Sequence, residues 1–295
     1  MKIVLTGSLG HINAPLVQQL IAAHHTVTVI SHNPQRQAAI TALGAIPAIG
    51  SIIDQAFLTR TFTGADAVYL MITSATGGAD LFAAGRQQAT IYANAVRAAG
   101  VTHVVNLSSV GANLGPEVGS LHIYNVIEGV LTRQLPGTNL TFIRPTGMFY
   151  NLFSQLTSIR QHHAIYTNSQ LDQRNSWVAP ADIAPVVAQA LTDPQPVVTS
   201  QYVASDERSF TEVATTLGVA LNLPDLQAIQ ISDTTMLANL IQAGMPTEFA
   251  TQYVKTTAYE RDHDFYADYQ AHHPVLGPTK LSDFAQEFAQ VYAQQ

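Results

Sequence analysis

The 295-residue chain contains no cysteine. That excludes disulfides, thiolate metal sites and a cysteine nucleophile. Lysine is almost as scarce: Lys2, Lys255 and Lys280 are the complete set, so nothing between the first strand and the last quarter can supply an ammonium group. Thirteen basic residues stand against 20 acidic ones, a formal net charge of −7, and no basic stripe is visible. The composition therefore argues against a surface that grips a nucleic-acid backbone. Charged residues make up only 11% of the chain, which leaves much of the polar surface to Gln, Thr, Asn and Ser. No run of about 18 apolar residues occurs, so no membrane span is expected. Met1 leads directly into an apolar segment, so no signal peptide is expected before it. Together with the missing cysteine, this makes the cytoplasm the expected compartment.

What is present begins at the amino terminus. Ile3-Val4-Leu5 is an apolar run that stops at Thr6-Gly7, and Gly10 follows three residues later. Ile12, Leu16, Val17, Leu20 and Ile21 then recur at helical spacing, with Gln18 and Gln19 on the other face. A strand, a glycine turn and a helix in that order are what a dinucleotide site needs. Gly7 can adopt the backbone conformation of the turn, Gly10 lets the main chain come close to a pyrophosphate, and the helix start offers unpaired N–H groups. The plainer alternative is an ordinary strand-to-helix turn.

Strand-like and helix-like stretches alternate onward. Strands are expected at 26–31, 45–49, 67–72, 101–107 and 140–143, and helices at 34–43, 54–62, 81–99 and 121–134. Continuous apolar strands joined by crossover helices predict a parallel sheet covered on both faces. With 47% apolar residues, the chain can bury a sizeable core as one large α/β domain or a domain with a smaller lobe. Beyond Arg144-Pro145 the rhythm loosens. Helices are expected at 147–162, 182–192, 209–221, 281–292 and over most of 237–269, with short strands at 176–178, 197–204 and 227–231. Ser209 and Glu212 have the spacing of a capping box. This later part is expected to cap the carboxyl edge of the sheet, where a substrate would sit.

Several stretches in order carry a family likeness: Thr6-Gly-Ser-Leu-Gly10, Gly64-Ala-Asp-Ala-Val-Tyr69, Val104-Val-Asn-Leu-Ser-Ser109, Leu140-Thr-Phe-Ile-Arg-Pro145, Met148-Phe-Tyr-Asn151, Trp177-Val-Ala-Pro-Ala-Asp-Ile-Ala184 and Gly277-Pro-Thr-Lys-Leu-Ser-Asp-Phe284. Over nearly its whole length the chain resembles the NmrA-like group of atypical short-chain dehydrogenase/reductases. The resemblance implies a Rossmann-type, doubly wound parallel sheet with a small, discontinuous C-terminal α/β lobe. It puts the NAD(P)-binding domain at 1–150, with parts of 176–205 returning to it, and the substrate lobe mainly at 151–295. Gly7, Ser8, Leu9, Gly10, His11 and Ile12 would line the pyrophosphate. Ile72 and Thr73, with Leu107 and Ser108, would flank the ribose and nicotinamide, and Pro145, Thr146, Gly147, Met148 and Phe149 would border the reacting ring and its substrate.

Three departures from that pattern matter. Asn13 stands where the third glycine is usual and puts a side chain where helix and strand pack closely. At the end of the second strand, where an NAD site carries an acid about 20 residues past the glycines, this chain has Ser31-His32-Asn33, with Arg36 a turn later. The absence of a carboxylate favours NADP over NAD, although the family's arginine is missing as well. Finally, no tyrosine has a lysine four residues on, so the usual Tyr-x-x-x-Lys dyad is absent. The resemblance puts Tyr124 at the position of the lysine that serves related reductases. A tyrosine near its reference pKa of about 10 can donate a proton at neutral pH but is a poor base.

The remaining polar residues have two readings each. Tyr124 is a proton donor or a half-buried helix residue. Ser108 and Ser109 bond the nicotinamide amide or cap their turn, and His11 faces the pyrophosphate or solvent. Asp182 is expected to cap the helix after Pro180. The doublets His24-His25, His162-His163 and His272-His273 do not suggest metal, because adjacent helical residues diverge by about 100°. The functional expectation is an NAD(P)H-dependent reductase of a small apolar carbonyl or quinone, with a small-molecule substrate and neither nucleic acid nor membrane as partner. The alternative is a non-catalytic NAD(P)-binding redox sensor that engages a regulatory protein, and beyond it a scaffold with a vestigial site.

Overall fold

The computed structural model describes residues 1–72, 80–195 and 197–294. In chain order the first half runs β1 (Lys2–Leu5), α1 (Asn13–Ala22), β2 (Thr26–Ser31), α2 (Gln37–Ala42), β3 (Ile46–Ile49), α3 (Gln55–Phe62), β4 (Ala67–Met71), α4 (Leu81–Ala99), β5 (His103–Leu107), α5 (His122–Gln134) and β6 (Asn139–Pro145). The second half runs β7 (Gly147–Met148), α6 (Leu156–His162), β8 (Ala164–Thr167), β9 (Asn175–Val178), α7 (Pro180–Thr192), β10 (Thr199–Val203), β11 (Asp206–Arg208), α8 (Phe210–Leu221), β12 (Gln227–Gln230), α9 (Asp233–Gln242), α10 (Thr247–Asp262), α11 (Ala267–Ala271) and α12 (Leu281–Gln294).

Seven strands form the main sheet in the order β10-β6-β5-β4-β1-β2-β3. β1 pairs in parallel with β2 (Val4 opposite Thr28) and with β4 (Val4 opposite Val68), while β5 continues the parallel pairing to β6. The order reverses between β1 and β4, the switch point at which ligands of open α/β sheets bind. This is the Rossmann arrangement that the alternating pattern and the resemblance led us to expect. Two compact units emerge, one of residues 1–112, 123–144 and 183–201, the other of 113–122, 145–182 and 202–295.

In the first unit Val4, Val68 and Leu70 face a core completed by Leu58 and Phe62 of α3, Ala89, Tyr92 and Val96 of α4, and Ile127 and Leu131 of α5. Asp54 and Asp80 cap α3 and α4 by accepting backbone N–H groups in the first turn. β5 begins at His103, two residues later than its apolar run. Gly100 ends α4 in the left-handed region and Val101 N–H donates to Val96 O at 3.2 Å, so both residues still belong to the helix end.

The second unit holds a three-stranded sheet, β11-β9-β7, a two-stranded one, β12-β8, and a core rich in aromatic rings. The single helix expected over 147–162 is corrected here. Gly147 and Met148 pair with Trp177 and Val178, Phe149–Gln155 is a 3-10 segment, and α6 starts only at Leu156. A short apolar run carries no periodicity that separates these states. The helical stretch 237–269 is likewise three helices, broken at Gly244 (φ +93°) with Pro246, and again after Asp262. The capping box of α8 forms with both of its bonds. Asp182 does not cap α7. Its carboxylate accepts Ser205 Oγ at 2.6 Å, Thr279 N at 3.1 Å and Thr279 Oγ1 at 2.8 Å, and so ties three segments together. No helix of the described residues is long and apolar enough to cross a membrane.

Candidate functional site

The loop after β1 is anchored through Thr6, which is fully buried. Its N–H donates to Tyr69 O at 3.0 Å, its hydroxyl donates to the same oxygen at 3.1 Å, and that hydroxyl accepts Met71 N–H at 2.7 Å. Gly7 then turns the chain at φ +93°, and a Cβ there would come within 2.7 Å of Met71 Sδ. Conformation and space both demand glycine at this position. Ser8 (φ +57°) donates its N–H to Ile30 O at 3.0 Å.

Gly10 is different. Its backbone lies outside the left-handed region, and a Cβ there would meet no described residue within 4 Å. Nothing among the described residues needs glycine at 10. The open space beside it is a cradle that a Cβ would begin to fill, which suits a diphosphate drawn against the main chain. Gly10 and His11 are exposed, Leu9 is half-buried and the Ile12 side chain is buried. α1 starts at Asn13 without a side-chain cap; Ala14 N–H donates to Gly10 O at 3.0 Å and Pro15 carries no N–H, so of its first three residues only Asn13 keeps a main-chain N–H without an acceptor among the described residues. Asn13 is fully buried, and its amide donates to Thr6 O at 2.7 Å and Ser8 O at 2.8 Å. The residues present therefore fit a dinucleotide.

At the end of β2 the usual carboxylate is replaced by hydroxyls. Ser8 Oγ donates to Ser31 Oγ at 3.0 Å, and Ser31 Oγ accepts Asn33 N–H at 3.2 Å. Asn33 Oδ1 accepts Gln35 N–H at 3.0 Å and so caps the 3-10 turn Pro34–Arg36, while His32 and Arg36 are exposed.

Across the switch point, Ile72 is buried at the end of β4, and Thr73 lies outside the described residues. Leu107 closes β5 half-buried. The proton of the Ser108 hydroxyl goes to a side-chain carboxylate and not to its own turn, and the oxygen keeps its capacity to accept a hydrogen bond. Ser108 Oγ donates to Glu128 Oε1 at 2.5 Å, and Glu128 in turn accepts Arg144 Nε at 3.0 Å and Nη2 at 2.7 Å. This buried, two-pronged ion pair under the sheet end escaped the sequence reading. Its one sequence signal was the inward-facing Glu128 four residues after Tyr124. Tyr124 itself packs against the core of the first unit. Burial holds its phenol above the ordinary value, and no cation counters that shift. Its hydroxyl makes no hydrogen bond to a described residue.

In the second unit, Thr146 N–H donates to Val203 O at 3.0 Å, while its buried hydroxyl finds no partner among the described residues. Gly147 and Met148 are half-buried in β7. Phe149 corrects the expectation of a substrate wall. It has no exposed surface, and its ring stacks on Trp177 (centroids 6.0 Å, interplanar 3°) and on Phe284 (5.3 Å, 12°). It is a core residue. Among the described residues no group of three or more histidines and carboxylates could hold a metal ion.

A family model described as NAD(P)H-binding matches residues 7–194. No curated protein matches by sequence. Several solved structures share the fold across nearly the whole chain. An Escherichia coli NADPH-dependent quinone oxidoreductase, crystallised with NADPH, superposes with a TM-score of 0.78 at 20% identity, covering 97% of this chain and 99% of its own. A Citrobacter sp. triphenylmethane reductase complexed with NADP(H) gives 0.76 at 19% identity, covering 98% of this chain and all of its own (100%). A Staphylococcus aureus nucleoside-diphosphate-sugar epimerase gives 0.78 at 16%, covering 97% of this chain and 100% of its own.

Proposed function

The chain belongs to the NAD(P)H-binding family, within the NmrA-like group of atypical short-chain dehydrogenase/reductases, and from that premise we propose that it reduces a small apolar carbonyl or quinone compound, with NADPH preferred. The observation that carries the reading is the loop at 6–13, fixed to β4 and yet open beside Gly10. Gly7, Ser8, Leu9, Gly10, His11 and Ile12 hold the diphosphate through main-chain N–H groups and the start of α1. His32, Asn33 and Arg36 surround the adenosine ribose without a carboxylate, so a 2′-phosphate meets no like charge there. Ile72, Leu107 and Ser108 flank the nicotinamide side, and Pro145, Thr146, Gly147 and Met148 border the substrate.

The nicotinamide supplies the hydride, which leaves the protein to position the two reactants and exclude water. Tyr124 stays protonated at neutral pH because burial raises its pKa. It can therefore donate a hydrogen bond to a carbonyl oxygen but cannot serve as a base. A quinone suits such a site, since its oxygens take protons from water. Two of the structural neighbours bear the names of a quinone oxidoreductase and a triphenylmethane reductase, which supports a flat, apolar acceptor. The cytoplasm, where NADPH is plentiful, is the compartment we propose.

The test is loss of NADPH absorbance across a panel of quinones and aromatic carbonyls, with Tyr124→Phe alongside the parent. Turnover of a quinone that survives the substitution supports the reading. Tight cofactor binding with no turnover on any acceptor overturns it in favour of a redox sensor with a regulatory protein partner. That second reading draws on the missing Tyr-x-x-x-Lys pair, because a sensor needs no proton donor.

A further inference from the structure

Asn13 occupies the place of the third glycine, and its hydrogen bonds give it a purpose. Its Nδ2 donates to two carbonyls of the same loop, Thr6 O at 2.7 Å and Ser8 O at 2.8 Å, from a side chain with no exposed surface. In a trans peptide the N–H points opposite to the C=O of the same unit. Drawing the carbonyls of Thr6 and Ser8 toward Asn13 therefore turns the N–H groups of Gly7 and Leu9 away from it. Neither N–H has an acceptor among the described residues. Their neighbours on the inner side do: Thr6 N–H donates to Tyr69 O and Ser8 N–H to Ile30 O, each at 3.0 Å. The loop thus alternates, with paired N–H groups facing the sheet and free ones facing outward.

We propose that Asn13 is a positioning residue that clamps two peptide units so that the Gly7 and Leu9 amides face the diphosphate of the bound dinucleotide. Where the family pattern relies on glycine to let helix and strand close together, this chain holds the same loop with a buried carboxamide. Only an amide suits the place, since the two acceptors are carbonyl oxygens and a carboxylate there would repel both. The clamp fixes the donors before the ligand arrives, so binding does not have to order them. The inference rests on the dinucleotide reading of the loop.

The test compares the parent protein with Asn13→Gly and Asn13→Asp, using NADPH and adenosine 2′-phosphate, a probe that lacks the diphosphate. Thermal unfolding of each variant confirms that it is folded. The expected result is a loss of NADPH affinity of roughly tenfold or more for both variants, with affinity for adenosine 2′-phosphate within about twofold of the parent. Shifted and broadened NMR amide resonances of Gly7 and Leu9 in the unliganded Asn13→Gly protein, reporting peptide units that are no longer held in one orientation, should accompany it, a readout that survives if Asn13→Asp fails to fold. Equal loss for both probes, or unchanged NADPH affinity in folded Asn13→Gly, overturns the clamp. A parent protein that binds neither probe overturns instead the dinucleotide reading beneath it, even if the resonances of the two amides still respond to the substitution.

Discussion

Two glycines of one loop should respond in opposite ways to the same added methyl group. At Gly10 a Cβ meets no described residue within 4 Å and the backbone is of an ordinary kind. Gly10→Ala should therefore leave the unliganded fold intact, or stabilise it by about 0.4–1 kcal/mol through the smaller entropy of its unfolded chain. For a chain of this size that is a rise in Tm of at most about 2–4 °C. The same methyl group occupies the cradle assigned to the diphosphate. If it displaces the ligand from two main-chain donors, each charge-assisted bond worth about 1.5–3 kcal/mol, NADPH affinity should fall on the order of 100-fold or more. At Gly7 the methyl group would sit 2.7 Å from Met71 Sδ in a backbone at φ +93°. Strain of about 1–3 kcal/mol should follow, lowering Tm whether or not ligand is present. Differential scanning calorimetry of the unliganded proteins and NADPH titration calorimetry separate the two effects. A destabilised Gly10→Ala that binds NADPH as well as the parent would refute the reasoning, because glycine at 10 would then serve the fold and not a ligand.

Other substitutions test the surroundings of the site. Glu128→Ala removes the buried carboxylate that accepts from both Arg144 and Ser108, a loss of about 3–5 kcal/mol that urea unfolding should detect. His103 is buried in β5 with Nε2 bonded to Ala190 O at 2.8 Å, and burial lowers its pKa below the ordinary value. The unfolded chain therefore takes up the proton first. Stability should be flat above about pH 6.5, fall as pH drops through that value, and level off below the folded pKa; a curve of Tm against pH checks this, and His103→Gln should flatten it. Phe149→Ala removes a ring stacked on two others and should cost about 3–5 kcal/mol while leaving NADPH affinity unchanged, whereas a substrate-lining ring would show chiefly in KM.

The parts of this molecule that sequence made readable are the local ones. Ile3-Val4-Leu5, Gly7, Gly10 and the helical spacing from Ile12 lie within one short stretch, and each answers to a backbone rule that needs no distant partner. The alternation of apolar strands with helices carried the sheet for the same reason. Whatever depended on partners far along the chain was hidden. Ser108 looked like a cleft hydroxyl because Glu128, to which it donates, and Arg144, which donates to the same carboxylate, belong to other elements. Asp182 looked like a cap because Thr279 and Ser205 are remote in sequence. Phe149 reads the same whether it walls a pocket or fills a core, since hydrophobicity does not say which surface buries it. Asn13 marks the boundary. Its departure from the glycine pattern was plain, but the compensation lay in two hydrogen bonds to main-chain carbonyls, which no residue type announces.

The central claim is that the main chain at residues 6–13 holds the diphosphate of a pyridine nucleotide. Equilibrium titration of the purified protein with NADPH and with NADH, followed by nicotinamide fluorescence, tests it without assuming any substrate. Saturable binding of one nucleotide per chain, tighter for NADPH and abolished by Gly10→Val in a protein that unfolds at the parent temperature, is the predicted result. Failure to retain either nucleotide at millimolar concentration would contradict the claim.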